Sequence, residues 1–219
     1  MPKLKLTYFD APASRGEECR LALHVAGLAF EDERLDRAGW SARKPTAPFG
    51  ALPILEVEGK GQLAQSNAIL TYIGRGHGLL PADPFESARH EALLSAVEDL
   101  RIQLRPVIRI ADEAEKKKAR TEFANGALQE WAAAIEKQIG SGPFVGGARI
   151  GVADLKIYVA ISTFINGAID HIPSDVFKAF PKLTALHAVV KAHPKVAEWQ
   201  APANIASRAA AKTTASARA

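Results

Sequence analysis

The stretch that decides the fold is Leu4–Leu35, LKLTYFDAPASRGEECRLALHVAGLAFEDERL. Leu4, Leu6 and Tyr8 alternate with Lys5 and Thr7, the two-residue period of a strand. From Gly16 the period changes. Cys19, Leu21, Leu23, His24, Val25 and Leu28 suit a helix, and Gly27 marks its end. Phe30 to Leu35 alternates again and reads as a second strand. Strand, helix, strand implies parallel pairing through a right-handed crossover.

Working outward, an irregular helix follows, then Pro53 to Val57 as a third strand and Gln62 to Ala64 as a fourth. Between them Glu58-Gly59-Lys60-Gly61 is a turn, so this pair is a hairpin. Ser66 reads as the N-cap of a helix carrying Ile69, Leu70, Tyr72 and Ile73. Leu79 to Pro84, LLPADP, then interrupts both periods and makes a boundary. Beyond it the chain reads as helical only. Leu93, Val97, Leu100, Leu104 and Val107 form one stripe, with Pro106 expected to kink it. Glu113 to Ile139 reads as one long helix, and Gly151 to Ile169 as a central helix apolar nearly all round. Two shorter helices are expected around Val176 to Phe180 and Lys182 to Ala192. The expected division is therefore an α/β unit over 1–80 and an all-α unit over 85–205. A basic Ala/Ser/Thr-rich tail over 206–219 is expected to be disordered.

Composition narrows the function classes. The 219 residues are 47% hydrophobic and 24% charged, an ordinary globular balance. The single cysteine, Cys19, cannot form an internal disulfide, which points to a reducing compartment and hence the cytoplasm. Met1 to Arg15 has no apolar run of the secretory type, and Ile157 to Ile169 is too short to span a bilayer. The pI of about 9.2 owes much to the tail, where Arg208, Lys212 and Arg218 stand without an acid. In the rest of the chain acids keep step with bases, so neither nucleic acid nor membrane is an expected partner.

Several kinds of chemistry are poorly supported. Cys19 lies inside the first helix without a CxxC partner, and a buried small residue is the simpler reading. The six histidines make no HxH, HxxxH or HExxH spacing, so no metal site is expected. Gly74, Gly76 and Gly78 follow a helix where a dinucleotide fingerprint needs a strand. Three elements do converge. Tyr8 ends the first strand at the sheet edge where ligands bind in α/β folds. Leu52-Pro53 is a bond able to be cis, leaving the Leu52 backbone free to pair. Gln65-Ser66 opens a helix whose free N–H groups favour an anion. Together they suit an extended peptide bearing a carboxylate.

The order and spacing of LTYFDAPASRGEECRLAL (Leu6 to Leu23), PFGALPILEV (Pro48 to Val57), QSNAILTYIG (Gln65 to Gly74), VEDLR (Val97 to Arg101), GVADLKIY (Gly151 to Tyr158) and HPKVAEW (His193 to Trp199) resemble the cytosolic glutathione transferases, most closely the Sigma and Pi type classes. The resemblance implies a thioredoxin-like N-terminal domain and an all-helical C-terminal domain. It also implies glutathione as co-substrate, a small, mostly hydrophobic electrophile, a homodimer and a detoxifying role. By position Tyr8 corresponds to the catalytic hydroxyl. Arg15, Trp40, Lys44, Leu52, Pro53 (cis), Gln65 and Ser66 correspond to glutathione contacts, and Phe49 to the aromatic key of the dimer, its alternative being packing within its own chain. Ser14 in the loop after Tyr8 is a rival activator.

Departures are visible too. Ala51 stands where relatives usually have Gln, and Ser95 where an aspartate often reaches across the dimer. Both imply weaker glutathione binding. Gly151 replaces the usual Ser or Thr of a helix-capping box whose Asp154 is kept. Rival functions are glutathione-dependent isomerisation or peroxide reduction at the same site, a non-enzymatic ligand binder of the same fold, and thiol transfer through Cys19.

Overall fold

The computed structural model describes residues 2–202 and 204. The tail expected over 206–219 lies outside the described residues. The N-terminal half runs β1 (Leu4–Phe9), α1 (Ser14–Val25), β2 (Glu31–Leu35), α2 (Arg37–Arg43), β3 (Ile54–Val57), β4 (Gly61–Ala64) and α3 (Ser66–His77). Two short 3-10 turns, Lys44–Thr46 and Pro48–Gly50, fill the space between α2 and β3. The sheet order is β2-β1-β3-β4. β1 pairs parallel with β2, while β3 is antiparallel to both β1 and β4. The crossover and the hairpin read from the sequence are both present.

β1 departs from simple alternation. Thr7 and Tyr8 are both buried, because the strand is covered on both faces. The Thr7 hydroxyl is satisfied by donating to Glu33 Oε2 at 2.6 Å. α1 is buried from Gly16 through Leu23, including Glu17, Glu18 and Arg20, so its polar residues carry no amphipathic signal. The Arg20 guanidinium donates to Asp32 Oδ1 at 2.8 Å, the Ala11 carbonyl at 3.0 Å and the Phe9 carbonyl at 3.1 Å. One side chain thus fixes the loop that leaves β1 just after Tyr8.

The helical half comprises α4 (Pro84–Val107), α5 (Glu113–Asn125), α6 (Ala127–Gln138), α7 (Val152–Ile165), α8 (Pro181–Ala192) and α9 (Pro194–Gln200). Asp83 caps α4 by accepting from the Glu86 N–H at 2.8 Å. Pro106 sits in the last turn, where the helix ends at Val107, so it terminates the helix where a kink was expected. The long helix expected over Glu113 to Ile139 is two helices. Gly126, at φ −114° and ψ −101°, leaves the helical region and separates α5 from α6. The central helix stops at Ile165, before Asn166 and Gly167 (φ 66°). Val176 to Phe180 forms turns, and α9 was not expected at all. Gln65, at φ 71°, is the N-cap of α3 and Ser66 its first helical residue, so the helix begins one position earlier than the sequence predicts.

α7 is the hub of the helical half and packs against α1, α4 and α8. Gly151 has no side chain, so only half of its capping box exists. Asp154 accepts from the Gly151 N–H at 2.7 Å and the Val145 N–H at 2.8 Å. Burial outweighs those bonds and raises the Asp154 carboxyl to about 6. α7 also carries Lys156, wholly buried between the two halves. Its Nζ donates to Glu18 Oε1 of α1 at 2.7 Å and to Glu98 Oε1 of α4 at 2.6 Å. Arg101 closes the network, donating to Glu18 Oε2 and Glu98 Oε1, each at 2.7 Å.

Removing Lys156 leaves Glu18 and Glu98 with one buried cation fewer. Lys156→Met is expected to cost about 3–5 kcal/mol of unfolding free energy, read as a lower urea midpoint. For Glu98, burial favours the neutral acid, but Lys156 and Arg101 outweigh it and hold the carboxyl at about 2, against 4.5 ordinarily. The unfolded chain therefore takes up this proton first as pH falls. The stabilisation is complete above about 4.5 and lost towards about 2, so Glu98→Gln is expected to flatten that part of the acid-unfolding curve.

Candidate active site

A cleft of about 790 Å³ opens where the end of β1 and the α1 N-terminus face α4 and α7. Its size is that of a small-ligand site. Tyr8, Ser14, Arg15, Trp40, Ala51 and Leu52 line its N-terminal side. Leu104, Ile108, Phe164 and Ile169 give it an apolar wall from the helical half.

Tyr8 is held from three directions. Its ring meets Phe9 edge-on at 5.6 Å, and the Arg20 guanidinium lies 5.8 Å from its centroid. Gly16 of α1 lies directly on the ring, where a Cβ would come within 2.0 Å of Tyr8 Cδ1. Only a glycine permits this approach without displacement. No protein hydrogen bond is made by the Tyr8 hydroxyl among the described residues. Ser14 opens α1 at φ 61° and faces the same cleft.

Arg15 is already engaged. Its Nε and Nη2 donate to Glu98 Oε2 at 2.8 and 2.6 Å. Trp40 on α2 packs edge-on against Phe9 at 6.2 Å. The Leu52–Pro53 bond is cis, and Leu52 precedes the first registered pairs of β3. Lys44, Pro53, Gln65 and Ser66 lie outside the walls of the cleft. Lys44 stretches towards Gly50, from whose position a Cβ would be 3.8 Å from Lys44 Cε. Ser66 is buried, with Lys156 Nζ 3.3 Å from its Oγ, so the network of Lys156, Glu98 and Arg15 joins the α3 N-terminus to the cleft. Sequence reasoning missed this network. A signal existed, since a lysine inside an all-round apolar helix requires a buried partner.

Cys19 is fully buried, and burial together with the Glu18 charge pushes its thiol well above the ordinary range. That removes it as a nucleophile. Phe49 is 81% exposed at φ 56°, so it does not pack within its own chain. Ser95 turns its hydroxyl back onto the Glu91 carbonyl at 3.2 Å. Glu113, Asp170 and His171 converge on the surface, but Lys116 and Arg120 already pair with those carboxylates. A second cavity of about 820 Å³ has Glu17, Tyr158, Ser162, His187 and Trp199 among its walls but not Tyr8. Ser162 and His187 lie 3.0 Å apart there. The Ser162 hydroxyl is spent on the Tyr158 carbonyl at 2.7 Å, so the pair is no nucleophile and base.

The sequence matches two family models, described as Glutathione S-transferase, N-terminal domain, over residues 4–75 and Glutathione S-transferase, C-terminal domain, over residues 98–203. The chain belongs to the glutathione S-transferase family. Among curated relatives, Glutathione S-transferase 1 of Ascaris suum is 39% identical over 75% of this chain and 81% of its own. The Hematopoietic prostaglandin D synthase of Gallus gallus is 33% identical over 91% of this chain and 96% of its own. The solved glutathione S-transferase of Ascaris lumbricoides superimposes with a TM-score of 0.81 at 35% identity, covering 90% of this chain and 96% of that one. The four-stranded sheet and the helical half therefore have the expected transferase architecture. No helix among the described residues is long and apolar enough to cross a membrane.

The Gly16 contact is directly testable. Gly16→Ala is expected to displace the Tyr8 ring, costing about 1–3 kcal/mol of stability and a larger share of any Tyr8-dependent activity. Equal activity of the two proteins would show that the Tyr8 position is not critical.

Proposed function

We propose that this protein conjugates the thiol of glutathione to small, mostly hydrophobic electrophiles. The observation that carries the reading is the Tyr8 hydroxyl, without a protein partner, in a cleft shared with Leu52 and an apolar helical wall. In this reading the tripeptide lies extended along the N-terminal side. Leu52 pairs with its cysteinyl backbone, while Trp40 and Lys44 flank its glycine carboxylate. Gln65 and Ser66 receive the γ-glutamyl end, with Pro53 shaping the turn and Arg15 beside it. The α3 N-terminus favours the γ-glutamyl carboxylate. So does the network behind Ser66, in which Lys156, Arg101 and Arg15 outnumber Glu18 and Glu98. Ala51 and Ser95 weaken the grip, because each lacks a side chain able to reach the ligand.

The chemistry asked of Tyr8 is modest. A free thiol of pKa about 8.5 is roughly 3% thiolate at pH 7. A hydroxyl donating to sulfur stabilises the charged form. Lowering the thiol to about 6.5 makes thiolate the majority species, roughly a twenty-fold gain, partly offset by reduced nucleophilicity. The thiol proton passes to solvent and sulfur forms the new bond to carbon; in a substitution the leaving group departs with the bonding pair, and in an addition the displaced pair stays on the product and takes up a proton from water. Holding both reactants in one cleft supplies the rest of the acceleration.

Exposed Phe49 supports a homodimer in which the ring enters the neighbouring subunit, and the family suits a cytoplasmic detoxifying role. Glutathione-dependent isomerisation at the same site is the second reading, favoured by the likeness to the prostaglandin D synthase.

Steady-state kinetics with glutathione and 1-chloro-2,4-dinitrobenzene tests the assignment. Tyr8→Phe is expected to lower kcat by about 10- to 100-fold, with glutathione affinity much less affected, and Ser14→Ala to change kcat by less than about threefold. The reverse pattern would move the activating role to Ser14. Absence of turnover with intact glutathione binding would favour the binding-protein reading.

A further inference from the structure

The cleft carries an unbalanced charge, most of it on the helical side. Arg15, Arg101, Arg105, Arg109 and Arg120 all reach its walls, against the single acid Asp170 among the described lining residues. Three of these cations are spent. Arg15 pairs with Glu98, Arg101 with Glu18 and Glu98, and Arg120 with Asp170. Arg105 and Arg109 have no carboxylate partner among the described residues. Arg105 is in the last turn of α4 and Arg109 follows just beyond it, so they are four residues apart. Apolar Leu104 and Ile108 each precede one of these arginines and line the same cleft, as do Phe164 and Ile169.

An apolar pocket with two unpaired guanidiniums at its rim is complementary to an amphipathic anion. The apolar body gains by burial against Leu104, Phe164 and Ile169, and a carboxylate at the rim gains charge-assisted hydrogen bonds from the two exposed guanidiniums. We propose that the electrophiles preferred by this protein carry a carboxylate or similar anionic group on an apolar body, held by Arg105 and Arg109. This rests on the glutathione-conjugating reading and narrows its second substrate. Tyr8 and the tripeptide act on the reactive carbon, and the arginine pair reads the far end of the molecule.

The test compares two aryl chlorides of matched body, 4-chloro-3-nitrobenzoate and 4-chloro-3-nitrobenzamide. With either, glutathione sulfur bonds to the ring carbon and chloride departs with the electron pair. Each kcat/KM is divided by the uncatalysed rate of the same compound. The wild type is expected to favour the benzoate about tenfold, and the preference to shrink with added salt. Arg105→Gln/Arg109→Gln is expected to bring the ratio near one, whereas Arg105→Lys/Arg109→Lys retains most of it. A wild-type ratio near one, or a preference surviving the double glutamine variant, overturns the proposal.

Calorimetry separates this failure from that of the underlying reading. Glutathione and the two finished conjugates, S-(4-carboxy-2-nitrophenyl)glutathione and its carboxamide, are titrated without any need for turnover. Tighter binding of the carboxylate conjugate, lost in the double glutamine variant, supports the arginine pair even if chemistry is slow. Glutathione binding with equal affinity for both conjugates overturns the arginine pair and leaves the glutathione reading standing. No binding of glutathione or either conjugate overturns both.

Discussion

Lys156 sits without solvent exposure between an acid from each half of the molecule, Glu18 on α1 and Glu98 on α4. A buried ammonium is costly unless its partners are close and fully bonded. Here the cost is offset only when both halves are docked, so the network ties the cleft to one relative placement of α1, α4 and α7. Its outer members are the site itself. Glu98 holds Arg15 at the cleft, and Lys156 touches Ser66 at the start of α3. The constraint that joins the halves therefore also sets the field where the γ-glutamyl carboxylate is proposed to lie.

A second constraint acts on Tyr8. Arg20 binds the Phe9 and Ala11 carbonyls, and Gly16 sits against the ring. The hydroxyl is thus held by backbone and packing, with no need of a hydrogen bond that would compete with a thiol. In the proposed binding mode the contacts to the tripeptide around this centre are fewer, because Ala51 and Ser95 stand where longer or charged side chains are expected. The proposed function therefore pairs a firmly placed Tyr8 with a weaker hold on glutathione.

The N-terminal half was largely legible because its periods switch cleanly between two and 3.6 residues. Strand pairing and the placement of Tyr8 beside a helix N-terminus followed from local chemistry, whereas the bond before Pro53 could only be read as able to be cis, and the family resemblance supplied the choice. The helical half was less legible. Gly126 breaks one apolar stripe into two helices by its backbone conformation, which composition does not encode. α9 is short and is anchored through the Trp199 indole donating to Glu17 at 2.7 Å, a contact between residues at opposite ends of the chain. Likewise Glu18 and Arg20 look like surface residues in a one-dimensional reading, and Lys156, although its apolar helix signals burial, has partners that only the tertiary fold reveals. Family resemblance pointed to Gln65, Ser66 and Lys44 as glutathione contacts, and these lie outside the cleft walls, which include Arg105 and Arg109.

In the proposed function the Tyr8 hydroxyl lowers the pKa of a bound glutathione thiol. The ultraviolet thiolate band of bound glutathione, titrated from about pH 5 to 9 across the free-thiol value near 8.5, measures this without any second substrate. The expected result is a midpoint well below that of free glutathione in the wild type, restored towards it in Tyr8→Phe. A wild-type midpoint equal to that of free glutathione, or a low midpoint that survives Tyr8→Phe, would contradict it.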